Sequence, residues 1–195
     1  MHSKEHAMVV GGSGMLREVT VWLSLQFRSV TLLARDPARL DSVVREAGVS
    51  GGSILPVSVD YRDETKLRDT INGALTLNGP VDLLVTWIHS SAPDAPLLIA
   101  ETTSKISIDH GRITQWYEVL GSAAAEWKVE HEIREDHVRR LKGVNWHRVV
   151  LGFVRDEGRS RWLTDHEISA GVIGAIQRGD QSTVVGQLEP WNQRP

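Results

Sequence analysis

Short apolar segments alternate with amphipathic segments along most of this chain. The apolar segments predict buried β-strands over residues 7–10, 29–34, 54–59, 81–88, 112–120, 147–154 and 182–186. Apolar side chains at helical spacing predict helices over residues 15–28, 36–48 and 64–77, a short helix from about residue 96, and a last helix from the capping-box pattern at residues 164–167. Residues 123–145 are mixed and charged, and they predict irregular structure with no more than one helix.

This alternation of strands and helices predicts an α/β fold. The expected architecture is a doubly wound, Rossmann-like parallel sheet of about seven strands with helices on both faces. A length of 195 residues and a hydrophobic content of 41% suit one compact domain over residues 1–195, with residues 189–195 as a C-terminal tail.

Composition narrows the classes of function. The formal net charge is −3 and Lys and Arg do not cluster, so no nucleic-acid partner is expected. The absence of cysteine excludes disulfides, thiolate nucleophiles and cysteine-based metal centres. No histidine pair has the spacing of a zinc protease, and no metal is expected. The first six residues are polar and no window approaches the ~20 apolar residues of a membrane span, so we expect a cytoplasmic protein without membrane association.

A glycine-rich loop, Gly11-Gly12-Ser13-Gly14, stands between the first predicted strand and the first predicted helix. Glycine lets the backbone turn sharply and approach a pyrophosphate, whose charge meets the free N–H groups of a helix N-terminus. The loop therefore predicts dinucleotide binding, although a plain glycine-rich turn has the same sequence pattern. The usual third glycine falls at Arg17, whose side chain either leans outward or adds a phosphate contact.

The chain resembles the short-chain dehydrogenase/reductase family, as an atypical member, over almost its whole length. Val-Val-Gly-Gly-Ser-Gly-Met-Leu at residues 9–16 is similar to the family's coenzyme loop, and Leu-Ala-Arg-Asp-Pro-Ala-Arg-Leu at residues 33–40 is similar to the end of its second strand. Residues 60–61, 84–89, 119–125 and 151–154 match further family segments. The resemblance implies a single NAD(P)-binding Rossmann domain with Ser122 in the place of the catalytic serine. It implies these coenzyme-binding residues: Gly11, Gly12, Ser13, Gly14, Met15, Leu16, Arg35, Asp36, Asp60, Tyr61, Trp87, Ile88 and His89.

The departures from the family pattern concern the reaction. The family's Tyr-x-x-x-Lys motif is absent, and the only tyrosines are Tyr61 and Tyr117. The family's Asn-Asn-Ala-Gly segment is replaced by residues 84–89. The chain is also shorter than is usual in the family, both after strand five and after strand six, where the substrate lid would lie. The resemblance therefore supports the fold and the coenzyme more strongly than the reaction.

The end of the second predicted strand bears on the choice of nucleotide. An acidic residue at this point binds the ribose 2′-hydroxyl of NAD, whereas an arginine accommodates the 2′-phosphate of NADP. Arg35 comes first and Asp36 is free to cap the following helix, so NADP(H) is favoured, with help from Arg39. The alternative is that Arg35 is solvated and Asp36 selects NAD(H).

Reduction of a carbonyl needs an acid that protonates the developing alkoxide. The candidates near the ends of strands four and five are His89, Ser90, Ser91, Tyr117 and Ser122. An imidazole can release a proton near neutral pH, which makes His89 the first candidate, and a structural histidine at a strand end is the alternative.

Three further assignments depend on the surroundings of these residues. Ser122 either orients the substrate or caps a helix before Ala123, and Tyr117 is expected to pack in the core. Trp87 and Trp116 either wall the pocket or belong to the core. A Ser–His–acid hydrolase built on Ser122 and His89 is disfavoured, because no Gly-x-Ser-x-Gly elbow is present.

Two hypotheses follow. The first is an atypical short-chain reductase that transfers hydride between NADPH and a small carbonyl or imine substrate, with His89 or a water as proton donor and Ser122 orienting the substrate. The second is a non-catalytic NADP(H)-binding sensor or regulatory protein that has lost the redox site. A homo-oligomer is expected in either case, since a truncated lid leaves the pocket incomplete.

Overall fold

The fold is described from a computed structural model, which covers residues 5–50, 52–88, 91–125, 129–156 and 159–195, without the side chains of residues 125 and 129–134. The strands in these ranges are β1 (His6–Val10), β2 (Ser29–Ala34), β3 (Ile54–Ser58), β4 (Leu83–Thr86), β5 (Thr114–Leu120), β6 (Val144–Leu151), β7 (Phe153–Asp156), β8 (Arg159–Trp162) and β9 (Ser182–Val185). The helices are α1 (Arg17–Ser24), α2 (Pro37–Val49), α3 (Glu64–Asn78), α4 (Ala95–Asp109), α5 (Val129–Arg140) and α6 (Asp165–Arg178). Short 3₁₀ turns lie at Ser122–Ala125 and Trp191–Gln193.

Seven of these strands form one parallel sheet in the order β3-β2-β1-β4-β5-β6-β9. The chain runs outward from β1 to one edge, returns to β4 and continues to the other edge, so the predicted doubly wound, Rossmann-like sheet of seven strands is confirmed. Parallel neighbours need crossover connections, and the helices that supply them cover both faces of the sheet.

Alternation of side chains along the central strands builds two cores. Val9 and Leu32 are register partners on one face and pack with residues of α1, α2 and α6. Met8 and Leu33 point to the other face, where they pack with residues of α3, α4 and α5. Central strands buried on both faces explain why their sequence is almost continuously apolar.

Helix α4 is longer than predicted and spans Ala95–Asp109. Its middle carries three consecutive hydroxyl residues, which obscured the helical pattern in the sequence. Thr102 Oγ1 donates to the Leu98 carbonyl at 2.7 Å, and Thr103 Oγ1 donates to the Ile99 carbonyl at 2.9 Å. Because these hydroxyls are satisfied within their own helix, the segment can be buried despite its polar composition.

The predicted sixth strand, residues 147–154, is wrong at both ends. Strand β6 begins at Val144 and ends at Leu151. At Gly152 the chain leaves the sheet, and the next strand pairs antiparallel with β8 as a separate hairpin. The N–H of Phe153 donates to the Gln187 carbonyl, and the N–H of Gln187 returns a bond to the Phe153 carbonyl, each at 2.9 Å, so this contact fixes the base of the hairpin.

A buried histidine anchors the amino-terminal edge of the sheet. His6 is fully buried, and its Nδ1 lies 2.9 Å from the Gly79 carbonyl. A carbonyl only accepts, so Nδ1 carries the proton and Nε2 accepts from Thr31 Oγ1 at 2.9 Å. Asn78 Nδ2 donates to the oxygen of the same Thr31 hydroxyl at 3.1 Å. The proton of that hydroxyl is therefore available to His6 Nε2. Burial lowers the pKa of the His6 imidazole, and the Gly79 carbonyl and the Asp82 carboxylate only partly oppose this.

We expect His6 to make the fold acid-sensitive. The unfolded imidazole takes up a proton as the pH falls through about 6.5, whereas folded His6 stays neutral to lower pH. The stabilisation from His6 is therefore complete above about pH 6.5 and is lost as the pH falls below that value. Between about pH 7.5 and about pH 5.5, wild type should lose roughly 1 kcal/mol more of its free energy of unfolding than His6→Gln, as measured by urea denaturation. Equal losses in the two proteins would contradict this assignment.

Candidate functional site

The candidate site lies at the carboxyl ends of the parallel strands. The glycine loop follows β1, and Trp87 and Ile88 follow the neighbouring strand β4. Arg35 follows β2 on the other side of β1, and Ser122 lies two residues beyond β5. The sheet order thus brings segments far apart in sequence to one edge, which is where open α/β sheets bind ligands.

Gly11 has a conformation and a position that require glycine. Its φ is +80°, and its N–H donates to the Leu33 carbonyl at 2.9 Å. A Cβ at this position would collide with the Trp87 carbonyl oxygen. Trp87 is itself fixed, because its N–H donates to the Val10 carbonyl at 2.9 Å. The loop therefore starts tightly seated against the end of β4.

Gly12 fulfils the packing role that the sequence pattern assigned to a third glycine at position 17. A Cβ on Gly12 would collide with Thr20 Oγ1 and Val9 Cγ1, so helix α1 approaches the strand closely at this residue. Thr20 Oγ1 lies 3.0 Å from the Gly12 carbonyl and 3.1 Å from the Leu16 carbonyl, and its donated proton ties the helix to the loop. The absence of a glycine at position 17 therefore does not prevent close helix–strand packing.

Helix α1 begins without a side-chain cap. Its N-cap residue, Leu16, has no polar side-chain atom, whereas Asp36, Asp63 and Thr164 cap α2, α3 and α6 through their side chains. The first N–H groups of a helix have no intrahelical acceptor and carry the positive end of the helix dipole. With Ser13 to Leu16 in front of it, this N-terminus can hold a phosphate group.

Arg17 leans away from the loop, which is the first of the two alternatives from the sequence. Its Nε donates to the Glu46 carboxylate, and its Nη2 donates to the Ser42 carbonyl at 3.1 Å and the Ser42 hydroxyl at 2.9 Å. Arg17 therefore links α1 to α2.

Helix α6 contacts the segment between the glycine loop and α1, and no pattern in the sequence predicted this contact. Ser169 Oγ donates to the Met15 carbonyl at 2.8 Å. Nearby, His166 Nδ1 lies 2.9 Å from Glu18 Oε2, which joins the first turns of α6 and α1. The capping box at Thr164 marks where α6 starts, but nothing in the sequence relates Ser169 to a residue 154 positions earlier.

The end of β2 presents two guanidiniums and one carboxylate, and Arg39 Nε lies 3.6 Å from Asp36 Oδ2. The carboxylate of Asp36 accepts the N–H groups of Ala38 and Arg39 at 2.9 and 3.3 Å, so it caps α2 as expected. Arg35 is exposed, and its guanidinium has no acceptor among the described residues. Arg39 Nη1 lies 4.0 Å from the position of a Cβ on Gly14, which brings a second guanidinium beside the loop.

Asp60 and Tyr61, which the resemblance assigned to coenzyme binding, are held by other contacts. Asp60 forms a bidentate pair with Arg62 at 2.6–3.2 Å, and these hydrogen bonds lower the pKa of its carboxyl to about 2. The Tyr61 hydroxyl donates to the Leu33 carbonyl at 3.0 Å, and burial raises the pKa of this phenol to about 12. The Tyr61 hydroxyl and the Gly11 N–H thus bind the same Leu33 carbonyl, near the end of β2.

The candidate catalytic residues follow β4 and β5. Ile88 and Trp87 are half-buried and pack against opposite cores, while His89 lies outside the described residues. Ser122 opens the 3₁₀ turn after β5, and its hydroxyl makes no hydrogen bond to a described residue. The N-cap alternative for Ser122 is therefore not supported, since the Gly121 carbonyl accepts the Ala124 N–H at 3.0 Å instead.

Two aromatic residues considered for the pocket belong to the core. Tyr117 is 3% exposed and stacks on His147 with ring centroids 4.2 Å apart, as the strand alternation predicted. Trp116 is fully buried and donates its Nε1–H to Thr86 Oγ1 at 2.9 Å, so it does not wall the pocket. The other tyrosine, Tyr61, is 9% exposed and its hydroxyl is bonded to the Leu33 carbonyl.

The described residues contain no group of three or more His, Asp or Glu side chains that could hold a metal ion. None of their helices has the length and apolar character needed to cross a membrane.

Comparison with known sequences gives a short match. No protein-family model matches the chain. A short-chain dehydrogenase of Pseudocercospora fijiensis is 34% identical over 80 residues, which is 40% of this chain. The match spans 26% of that protein's length.

Comparison with solved structures covers nearly the whole chain. A short-chain type dehydrogenase/reductase from Mycobacterium marinum superposes with a TM-score of 0.76 at 16% identity over 96% of both chains. A metagenomic short-chain oxidoreductase in complex with NADP gives a TM-score of 0.72 at 18% identity over 94% of this chain and 96% of that chain. An actinorhodin polyketide ketoreductase with NADPH gives 0.72 at 14% identity over 96% and 98%. This chain has the short-chain dehydrogenase/reductase fold. The glycine loop lies at the carboxyl end of the first strand of this fold.

Proposed function

We propose that this chain is an NADP(H)-dependent oxidoreductase of the short-chain dehydrogenase/reductase type, which transfers hydride between NADPH and a small carbonyl or imine substrate. The observation that carries the proposal is the uncapped N-terminus of α1 behind a glycine loop seated on Trp87. Such a helix end is a ready anion site, and the pyrophosphate of a dinucleotide is the matching ligand. Two proteins of the same fold, described above, contain NADP or NADPH.

The preference for NADP(H) over NAD(H) is supported by the end of β2. Asp36 caps α2 through Oδ1, and its Oδ2 lies 3.6 Å from Arg39 Nε, so both oxygens face groups of its own helix. Arg35 is exposed without an acceptor among the described residues, and Arg39 lies beside Gly14. A 2′-phosphate would give these guanidiniums charge-assisted hydrogen bonds, which are stronger than bonds between neutral groups.

Replacing Arg35 by alanine tests this preference. Because a hydrogen bond to a charged group contributes about 1.5–3 kcal/mol, Arg35→Ala should weaken NADPH binding by roughly 10-fold to 100-fold and leave NADH binding nearly unchanged. Tryptophan quenching during titration with each coenzyme measures both affinities. Arg45→Ala, an exposed arginine further along α2, is the matched control and should bind both coenzymes as wild type does. Equal losses for NADPH and NADH in Arg35→Ala would contradict the role of Arg35.

The proposed reaction must proceed without a tyrosine as the proton donor. The coenzyme would supply a hydride to the substrate carbon, and the substrate oxygen or nitrogen would take up one proton. Both tyrosines of the chain are buried in other contacts. We assign the proton to His89 or to a water, and assign the orientation of the substrate to the Ser122 hydroxyl. Oxidation of NADPH with a member of a panel of aldehydes, ketones and imines is the test of this reaction.

The second candidate is an NADP(H)-binding sensor without turnover. It is favoured by the same burial of Tyr61 and Tyr117, since a protein that had lost its redox site would retain the coenzyme loop alone. The two functions give different results in one assay. A sensor binds NADPH and shows no substrate-dependent oxidation above background, whereas a reductase shows both.

A further inference from the structure

A groove of about 380 Å³ opens at the amino-terminal edge of the sheet, opposite the coenzyme loop. It lies between the end of α5 and the first residues of β6 and β9. We call it the β6–β9 groove, and its main lining residues are Arg139, Asn145, Trp146, Arg148, Gln181 and Ser182. Two guanidiniums, an amide, a hydroxyl and an indole thus converge on one opening, while the side chain of Asn145 points to the other face and donates to Gln115 Oε1. None of these groups is part of the proposed coenzyme site.

The groove lies where none of the described helices covers β9. Arg148 and Ser182 are register partners and point to the same face of the sheet. Val185 points to the opposite face, where it packs against α6, so Val184 shares the open face and is 45% exposed. The floor of the groove is therefore formed by residues of β6 and β9, and α5 borders it on one side only.

Two arginines and two glutamates lie on this face, and the charge most exposed at the mouth of the groove is that of Arg139. Arg148 Nη1 lies 2.8 Å from Glu135 Oε1, and Arg139 Nη2 lies 3.1 Å from Glu135 Oε2, so two guanidiniums share one carboxylate. Glu118 also lies on this face, where it accepts the Trp146 Nε1–H at 3.0 Å. Arg139 is 66% exposed and has most of its donors free for a ligand.

The floor also contains an unsatisfied donor. Arg148 Nη2 donates to the Ala124 carbonyl at 3.2 Å, but its Nε is buried and has no acceptor in the described structure. A buried donor without a partner costs about 1–3 kcal/mol, and an anionic oxygen near it offsets that cost. Beside it, the guanidinium of Arg148 lies 5.8 Å from the centre of the Trp146 ring, which gives a flat surface for a planar ligand.

We propose that the β6–β9 groove binds a small planar aromatic anion. The ligand's ring would lie along the Trp146 indole and the open strip of β9, and its anionic group would pair with Arg139 and Arg148. The amide of Gln181 and the hydroxyl of Ser182 would complete the polar rim. This site is independent of the proposed coenzyme site at the opposite edge of the sheet.

The probe for this site is 8-anilinonaphthalene-1-sulfonate, a planar aromatic anion that fluoresces when bound. Titration of the full chain, with and without saturating NADPH, should give saturable binding that NADPH does not displace. Ser182→Trp fills the groove and Arg139→Gln removes the exposed charge, so each should weaken binding by about tenfold or more. Arg140→Gln is the matched control on the same helix, because Arg140 does not line the groove and pairs with Asp136.

Three results would overturn the proposal. The first is equal probe affinity in wild type, Ser182→Trp and Arg139→Gln. The second is displacement of the probe by NADPH, which would locate it at the coenzyme site. The third is equally tight binding of the uncharged relative N-phenyl-1-naphthylamine, since that would show that charge makes no contribution. Circular dichroism of each variant establishes that the fold is unchanged.

Discussion

Gly11→Ala is expected to lower the free energy of unfolding by about 2–6 kcal/mol and to abolish coenzyme binding. A φ of +80° strains any residue with a β-carbon, at a cost of about 1–3 kcal/mol. The new methyl group would also collide with the Trp87 carbonyl oxygen, and overpacking of this kind costs about 1–3 kcal/mol. Trp87 cannot retreat without losing its bond to Val10, so the loop itself must move. Urea denaturation followed by tryptophan fluorescence measures the first effect, and NADPH titration measures the second.

Gly14→Ala is the matched control in the same loop. Gly14 is not in the left-handed region, and a Cβ there would meet only Arg39 Nη1, at 4.0 Å. Its free energy of unfolding should therefore stay within about 1 kcal/mol of wild type. If Gly11→Ala were as stable as Gly14→Ala, the seating of the loop on β4 would be wrong, and the coenzyme site built on it would fail with it.

The first strand–loop–helix unit could be predicted because its signals are local. Apolar residues 7–10, the four-residue glycine loop and the helical spacing that follows all lie within one short stretch of sequence. The capping of α2 by Asp36 was predictable for the same reason, since the carboxylate binds N–H groups two and three residues away. Local hydrogen bonds leave a local pattern in the sequence.

The features that could not be predicted depend on contacts between distant residues. The expected glycine at position 17 is unnecessary because Gly12 meets Thr20 and Val9, which only the folded geometry reveals. Strand β6 ends at Leu151 because Phe153 exchanges hydrogen bonds with Gln187, 34 positions later. Gly152 is the one residue at this point of the sequence that is typical of a turn. The length of α4 was hidden by hydroxyl residues that are satisfied within the helix.

The coenzyme part of the candidate site was therefore more predictable than its catalytic part. Glycine, arginine and aspartate at strand ends have restricted roles, and their sequence positions identify the edge of the sheet where they lie. A proton donor has no such restriction, because several residue types at several strand ends can supply it. The structure buries Tyr61 and Tyr117, whereas His89 lies outside the described residues and its role stays a prediction from the sequence.

His89→Ala is expected to lower kcat by about 10²–10⁴ with an aldehyde, ketone or imine that wild type reduces, because the substrate's developing negative charge would lose its proton donor. NADPH affinity should change little, since the loop and Arg35 carry most of the binding. Stopped-flow measurement of NADPH oxidation gives kcat, and tryptophan quenching during titration with NADPH gives the affinity.

His110→Ala is the matched control, since His110 is exposed at the C-terminal end of α4, away from the carboxyl edge of the sheet. It should keep the wild-type rate. A His89→Ala variant with wild-type kcat would assign the proton to water and remove His89 from the mechanism. If wild type binds NADPH but oxidises it with no member of the substrate panel, the sensor function is favoured instead, because the coenzyme loop would then be intact and the acid absent.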